Sequence, residues 1–382
     1  MRTAATELLG IDVPIFAFSH CRDVVAAVSR AGGLGVLGAV AHSPEQLEID
    51  LKWIEGEVGD KPYGVDLIVP ARYAGDEGGG YTLADIAQLI PADAKAFVDD
   101  ILARYDVPPL PPETEAERGR PRPNATRAAP FSANSAVPQL EIALAHRTAF
   151  VANALGPPPQ FLIDRVKEEG RLVGALAGKA VHAERHVQAG VDLIIAQGSE
   201  AGGHTGEIGS MVLIPEVVDA VAPVPVLGAG GIGRGRQMAA AMALGAAGVW
   251  CGSVWLTTDE AETHPVVKEK MLAATSADTL RSRSLTGKPA RMLRSAWTDE
   301  WDRPDTPNPV GMPLQSMLTG EAQARIRRAA HVKGSGAEKL ANYFVGQIVG
   351  NMNSPKKAAQ VVYDMVEEFI EATESLARQL ED

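Results

Sequence analysis

The stretch from Leu193 to Gly209, LIIAQGSEAGGHTGEIG, begins as an apolar strand and breaks into a loop carrying one imidazole, His204, among Gly202, Gly203 and Gly206. Glycine lets a backbone turn sharply and approach a ligand closely. A histidine in such a loop, with no apolar neighbours, has two readings. It binds or moves a proton near neutral pH, or it only bonds to the backbone. The surrounding glycines favour the first, because packing gives them no purpose.

A second glycine cluster, GAGGIGRGR, runs from Gly228 to Arg236. Gly228, Gly230 and Gly233 satisfy the dinucleotide spacing G-x-G-x-x-G. That pattern belongs in the first unit of a nucleotide domain, with an acidic residue about 20 positions later. Here it falls in the seventh unit, and Cys251 and Gly252 stand near that position. In a barrel the same glycines have a better use, because the turns after strands seven and eight offer N–H groups to a phosphate. Gly230 and Gly231 form one half of that cradle, Gly252 and Ser253 the other. Tight turns without a ligand are the plain alternative.

HAERH, from His182 to His186, places two histidines four apart around Glu184. The glutamate is misplaced for the zinc motif H-E-x-x-H, so a solvated helix face is expected and no metal. Asp66 and Lys179 fall at the carboxyl ends of expected strands, where barrel active sites are built. They either face the site or form a structural ion pair.

These groups need a scaffold, and the chain shows one. Apolar runs at Ile15–Phe18, Gly33–Gly38, Gly64–Val69, Phe150–Leu155, Val173–Gly178, Leu193–Gly198, Pro225–Gly230 and Gly248–Ser253 alternate with helical segments. A helix followed by glycine and an apolar strand recurs at Gly32, Gly170, Gly190 and Gly245. Near-continuous apolar strands between helices mean a covered parallel sheet. Eight of them predict a (β/α)8 barrel, with an open doubly wound sheet as the alternative. Ser43, Pro44 and Gln46 signal a helix with a capping box, and Leu47, Leu51, Ile54 and Val58 give it a buried stripe.

The rhythm is interrupted over 71–148. There an amphipathic segment with Phe97, Val98, Ile101, Leu102 and Tyr105 precedes a proline-rich run, Pro108 to Pro130, read as a surface excursion. The expected organisation is a barrel over 1–256 with that insertion after strand three, and a helical lobe over 257–349 near the mouth. Residues 350–382 form a last helix, starting at Ser354-Pro355 and burying Val361, Val362, Met365, Val366, Phe369 and Ile370. A further helix is expected over Pro215–Val221.

The chain has 382 residues, 46% apolar and 22% charged, with a net charge of −12. These are the proportions of a folded soluble protein, and the negative balance disfavours nucleic acid. Two cysteines, Cys21 and Cys251, without metal-like spacing fit a reducing compartment. With no export signal at the start, a cytoplasmic location is expected. Met238 to Leu256 is uncharged but alanine-rich and broken by Gly245, Gly248 and Gly252, so it reads as a buried helix and strand, and no membrane partner is expected.

On AQGSEAGGHTG at Ala196–Gly206, VPVLGAGGIGRGRQMAAAMALGAAGVWCGS at Val224–Ser253, TGKPARMLR at Thr286–Arg294 and GQIVG at Gly346–Gly350, the sequence resembles the nitronate monooxygenases and the related FMN-dependent NAD(P)H reductases. The resemblance covers most of the chain outside 71–146. It implies an FMN at the carboxyl mouth of the barrel, its phosphate on Gly230, Gly231, Gly252 and Ser253. Its ring would lie near Phe18, Ser19, Asp66, Lys179, Gln197, Gly202 and Gly203. His204 matches the family histidine that acts as a base or hydrogen-bonds the substrate. Two departures stand out: Phe18, Ser19 and His20 replace the usual alanine-proline-methionine, and Asp66 stands where asparagine is common. His20 is thereby a second proton carrier.

The implied reaction is oxidation of alkyl nitronates by O2 to a carbonyl compound and nitrite. The alternative is NAD(P)H-dependent reduction of a quinone or unsaturated acyl thioester. A third reading is a flavin- or phosphate-binding module without turnover, which His204 argues against.

Overall fold

In the computed structural model, which describes residues 1–69, 87–112, 133–154 and 156–380, strand residues alternate between two apolar environments. The strands are β1 (Ile15–Ser19), β2 (Leu34–Gly38), β3 (Tyr63–Leu67), β4 (Phe150–Asn153), β5 (Leu172–Ala177), β6 (Leu193–Gln197), β8 (Val226–Ala229) and β9 (Gly248–Cys251). All are parallel, and β9 pairs back onto β1 through Ile15↔Val249, closing an eight-stranded α/β barrel.

Phe16, Leu34, Val36, Phe150, Leu193, Ile195, Leu227 and Trp250 fill the interior. Ile15, Leu37, Val65, Val151, Ile194 and Val249, at alternate strand positions, face the helices. Ala5 and Leu9 of α1 (Ala4–Leu9) join the inner cluster. Phe150 fixes one local choice: a Cβ on Gly174 would lie 2.2 Å from its Cζ, so only glycine admits the ring.

Between β1 and β2 runs α2 (Arg22–Arg30), and α3 (Pro44–Val58) follows β2. Ser43 caps α3 by accepting from the Gln46 N–H. The Gln46 amide points forward to Asp50 and does not return to the cap as the capping-box spacing predicts. The Leu47, Leu51, Ile54, Val58 stripe is buried.

The chain between β3 and β4 serves two cores. In α4 (Ala92–Arg104), Val98, Ile101 and Leu102 pack into the lobe, and Phe97 meets the Trp301 ring edge-on at 4.9 Å. In α5 (Ala133–Ala145), Ala136, Leu140, Ala143 and Leu144 pack on the barrel, where Gln139 bonds the carbonyls of Ala39 and His42. Of the proline-rich run, Pro121, Pro123 and Pro130 lie outside the described residues.

The remaining barrel helices are α6 (Gln160–Glu168), α7 (Ala180–Ala189), α8 (Ser210–Val221) and α9 (Gly235–Ala243). The expectation of a start at Pro215 is corrected. Helix α8 begins at Ser210, whose N–H is held by the Glu200 carboxylate. Among the described residues no helix is long and apolar enough to cross a membrane. Met238–Leu256 is the end of α9, strand β9 and most of a short 3-10 turn.

Beyond the barrel come α10 (Pro265–Ala273), the antiparallel pair β10 (Thr279–Ser282) and β11 (Ala290–Leu293), α11 (Ala296–Trp301), α12 (Leu314–Ala329) and α13 (Gly336–Leu340). Trp297, Trp301, Ile326, Leu340 and Val345 form a second core there. The last helix, α14 (Ala358–Arg378), starts after Ser354, at an Ala358 N–H taken by Glu260. Val361, Val362 and Met365 are buried, while Ile370 is 47% exposed, contrary to expectation. This helix crosses α9 so closely that a Cβ on Gly235 would lie 2.1 Å from the Met365 carbonyl oxygen. Arg234 pairs with Glu368 across the contact.

Candidate functional site

His204 sits on a two-residue strand, β7 (Gly203–His204), which leaves the barrel and joins the lobe hairpin through Ala290↔His204 and Arg291↔Gly203. The loop is held at both ends. Arg291 Nε donates to the Ser199 carbonyl at 2.9 Å, and Arg281 donates to the Thr205 carbonyl at 3.2 Å. Gly202 and Gly206 permit two close approaches: a Cβ on Gly202 would lie 2.8 Å from Gly346 N, and one on Gly206 3.1 Å from Gly178 O. The loop thus lies over the end of β5 and against the lobe.

His204 Nε2 and Thr286 Oγ1 are 2.8 Å apart. Thr286 donates its hydroxyl proton to the Lys288 carbonyl at 3.2 Å. Its oxygen is then the acceptor for a proton on Nε2, so the hydrogen-bond network assigns the Nε2–H tautomer and leaves a lone pair on Nδ1. Burial, reinforced by the Lys288 charge, lowers the His204 pKa to about 4. The ring is neutral at pH 7, and Phe344 flanks it at 6.2 Å.

The inward-facing positions at the carboxyl ends of the strands include Phe18, Asp66, Gln197 and Trp250. Phe18 stacks on Trp250 at 6.0 Å and meets His20 edge-on at 5.1 Å. His20 Nδ1 donates to the Gly38 carbonyl at 2.8 Å, so this second histidine lies against the end of β2. Ser19 Oγ accepts from the Cys21 N–H at the start of α2.

Asp66 is 3% exposed, and no hydrogen bond or ion pair is found for it among the described residues. Burial alone drives its pKa well above the carboxylate range. Lys179 lies exposed at the N-cap of α7, so the alternative of a structural Asp66–Lys179 ion pair is not realised.

The glycine turns meet at the same mouth. Gly230 and Gly231 have φ of +105° and +68°, and a Cβ on Gly230 would lie 2.8 Å from Ser210 Oγ. No acceptor is found for the Gly231 N–H among the described residues. On the neighbouring turn, Ser253 Oγ accepts from the Gly346 N–H at 2.8 Å, which leaves its own proton for an anion. Beside Gly252 the nearest atom to an added Cβ is Phe18 Cδ1 at 3.7 Å, an ordinary contact. Gln347 N donates to Glu200 O at 2.9 Å. Through Glu200, Gly202, Gly346 and Ser253 the turns after β6, β8 and β9 form one rim.

An orphaned inward carboxyl, unused N–H and O–H donors, and an aromatic wall fit a planar heterocycle with an anionic tail. They also suit the flavin implied by the resemblance. Sequence reasoning missed Thr286, Lys288, Glu200, Arg281 and Arg291. The motif TGKPARMLR held three of them, but nothing in it says that Thr286 meets His204. The HAERH reading is corrected in one respect: His182 and Glu184 are exposed, but His186 is 3% exposed and its Nε2 bonds the Leu176 carbonyl.

The family model for nitronate monooxygenase matches residues 2–368. The chain is 60% identical over 376 residues, 98% of each protein, to Rv1533 of Mycobacterium tuberculosis, whose name proposes a monooxygenase and gives no substrate. It is 30% identical to a Probable nitronate monooxygenase of Staphylococcus saprophyticus, over 88% of this chain and 89% of that one. Among solved structures it resembles a nitroalkane oxidase from Streptomyces ansochromogenes, with TM-score 0.78 and 26% identity over 98% of this chain and 100% of the other. FabK from Thermotoga maritima aligns with TM-score 0.71 and 28% identity over 99% of each. The chain is an oxidoreductase, and on the match along nearly its whole length it belongs to the nitronate monooxygenase family.

Proposed function

We propose that the enzyme is an FMN-dependent nitronate monooxygenase that converts alkyl nitronates and O2 to a carbonyl compound and nitrite. The observation that carries this reading is the state of His204: a neutral imidazole whose Nε2–H is committed to Thr286 and whose Nδ1 keeps a lone pair. When bound, FMN supplies electron acceptance and the reaction with oxygen.

The chain's own residues do the rest. The Gly231 N–H and Ser253 O–H hold the phosphate, and Phe18 forms a wall for the ring. His204 Nδ1 accepts a proton from the carbon next to a nitro group. With a pKa of about 4 it is a weak base. A substrate arriving as the nitronate has already lost that proton, and the Lys288 charge beside His204 favours an anion. Nitronates therefore turn over faster than neutral nitroalkanes.

The alternative, NAD(P)H-dependent reduction of a quinone or unsaturated acyl thioester, is supported by the likeness to FabK and by the lobe core beside the mouth, which could shape a site for a bulky substrate. Anaerobic mixing of the flavin-loaded protein with propionate-3-nitronate, NADH or NADPH separates the two. Flavin bleaching by the nitronate is expected. Bleaching by a pyridine nucleotide alone sinks the monooxygenase reading.

A further inference from the structure

Asp66 faces inward from β3 at the level of Gly38, its register partner on β2, and of Ala152 on β4. Neither neighbour offers a polar side chain. His20, whose ring lies beside Gly38, donates from Nδ1 to the Gly38 carbonyl. Asn153, next on β4, gives its side chain to Val69 N and Gly156 O. Lys179 is exposed. The carboxyl is thus buried inside the barrel, and among the described residues no cation and no donor stabilises a negative charge on it.

An isolated buried carboxylate is so costly that the group takes up a proton instead. A carboxylic acid then carries one O–H donor beside one carbonyl acceptor. We propose that Asp66 stands in the barrel mouth as an uncharged acid and recognises a ligand edge that presents an N–H beside a carbonyl, the pattern of a flavin's imide edge. The ligand half rests on the flavin reading above; the protonation half does not. Burial, with no opposing partner, pushes the Asp66 pKa upward, which agrees with the geometry.

An uncharged acid has the shape and the donor-acceptor pattern of an amide, where an ionised carboxylate would repel the ligand carbonyl.

Infrared spectra of the wild-type protein and of Asp66→Asn at pH 7, each with and without FMN, test the first half. The expected result is a protonated carboxylic acid carbonyl band in the wild type, shifted by deuterium exchange and missing from Asp66→Asn. FMN titration followed by fluorescence tests the second half. Asp66→Asn is expected to bind within about threefold of wild type, because the amide keeps one donor and one acceptor. Asp66→Leu is expected to bind about 10- to 100-fold more weakly, the scale of a buried polar group left unpaired.

A wild type lacking the band overturns the proposal while leaving the functional reading standing. A band together with full FMN affinity in Asp66→Leu overturns the recognition half. A wild type that binds no FMN overturns the functional reading and the recognition half, and the band alone then decides the protonation state.

Discussion

His204 Nε2 and Thr286 Oγ1 lie 2.8 Å apart although 82 positions separate them in the chain. The bond joins the barrel's sixth strand-to-helix connection to the lobe hairpin, and it fixes which imidazole nitrogen is left to act. Replacing Thr286 with valine removes the acceptor and keeps the shape. Flavin reduction by a neutral nitroalkane should fall about 10-fold, less than the roughly 100-fold or more that loss of the proton acceptor itself costs, with FMN still bound. Steady-state kinetics beside the flavin absorbance of the purified variant check this, and unchanged kcat/KM removes Thr286 from any positioning role.

Removing the imidazole is harsher. His204→Asn should retain FMN but slow flavin reduction by a neutral nitroalkane at least about 100-fold, with a smaller loss for the corresponding nitronate. Stopped-flow reduction with both substrates measures the difference. Equal losses for the two would show that His204 does not serve as the base.

Acid should destabilise the fold through the same residue. The folded pKa of His204 is about 4, below the 6.5 of an unperturbed histidine. Between those values the unfolded chain binds the extra proton and the native one does not, so stability falls as pH drops from 6.5 toward 4. Thermal melts over that range should show a steeper fall for the wild type than for His204→Asn. Parallel curves refute the claim.

Arg291 and Arg281 hold the two ends of the His204 loop by its backbone carbonyls. Arg291→Met should leave the barrel intact but raise hydrogen exchange across 199–206 and lower kcat more than it weakens FMN binding. Exchange confined to the mutated strand would mean that the clamp is ornamental.

Where α14 crosses α9, Gly235 has no space for a methyl group, since the nearest atom is a backbone carbonyl oxygen. Gly235→Ala should cost about 1–3 kcal/mol, as overpacking does, and lower the melting temperature without touching the mouth. A neutral effect would mean that α14 shifts freely.

Much of this architecture was legible. The eight apolar runs could be read because a strand covered on both faces leaves a nearly continuous apolar signal. Gly202, Gly230 and Gly231 stood out because close backbone approach leaves few substitutes. What stayed hidden was contact at a distance. Nothing local to Thr286 or Arg291 announces a partner in the sixth barrel connection, and nothing in Ala133–Ala145 tells a barrel helix from an inserted one. Lys179 and Asp66 illustrate the same limit. Both end strands, but strand position alone does not say that one is exposed while the other is enclosed. The cap at Ser354-Pro355 was a sound local signal overridden by Glu260, which takes the first free N–H of α14 three residues later.

The seating of Gly346 between Gly202 and Ser253 has a bearing on biosynthesis. A ribosome that has released the chain only as far as β9 has delivered every barrel stave, yet not the backbone that braces the histidine loop from behind. Bracing of that loop, on which tight capture of a prosthetic group should depend, then has to wait until Gly346 has emerged, and a product clipped before it should be an empty cask.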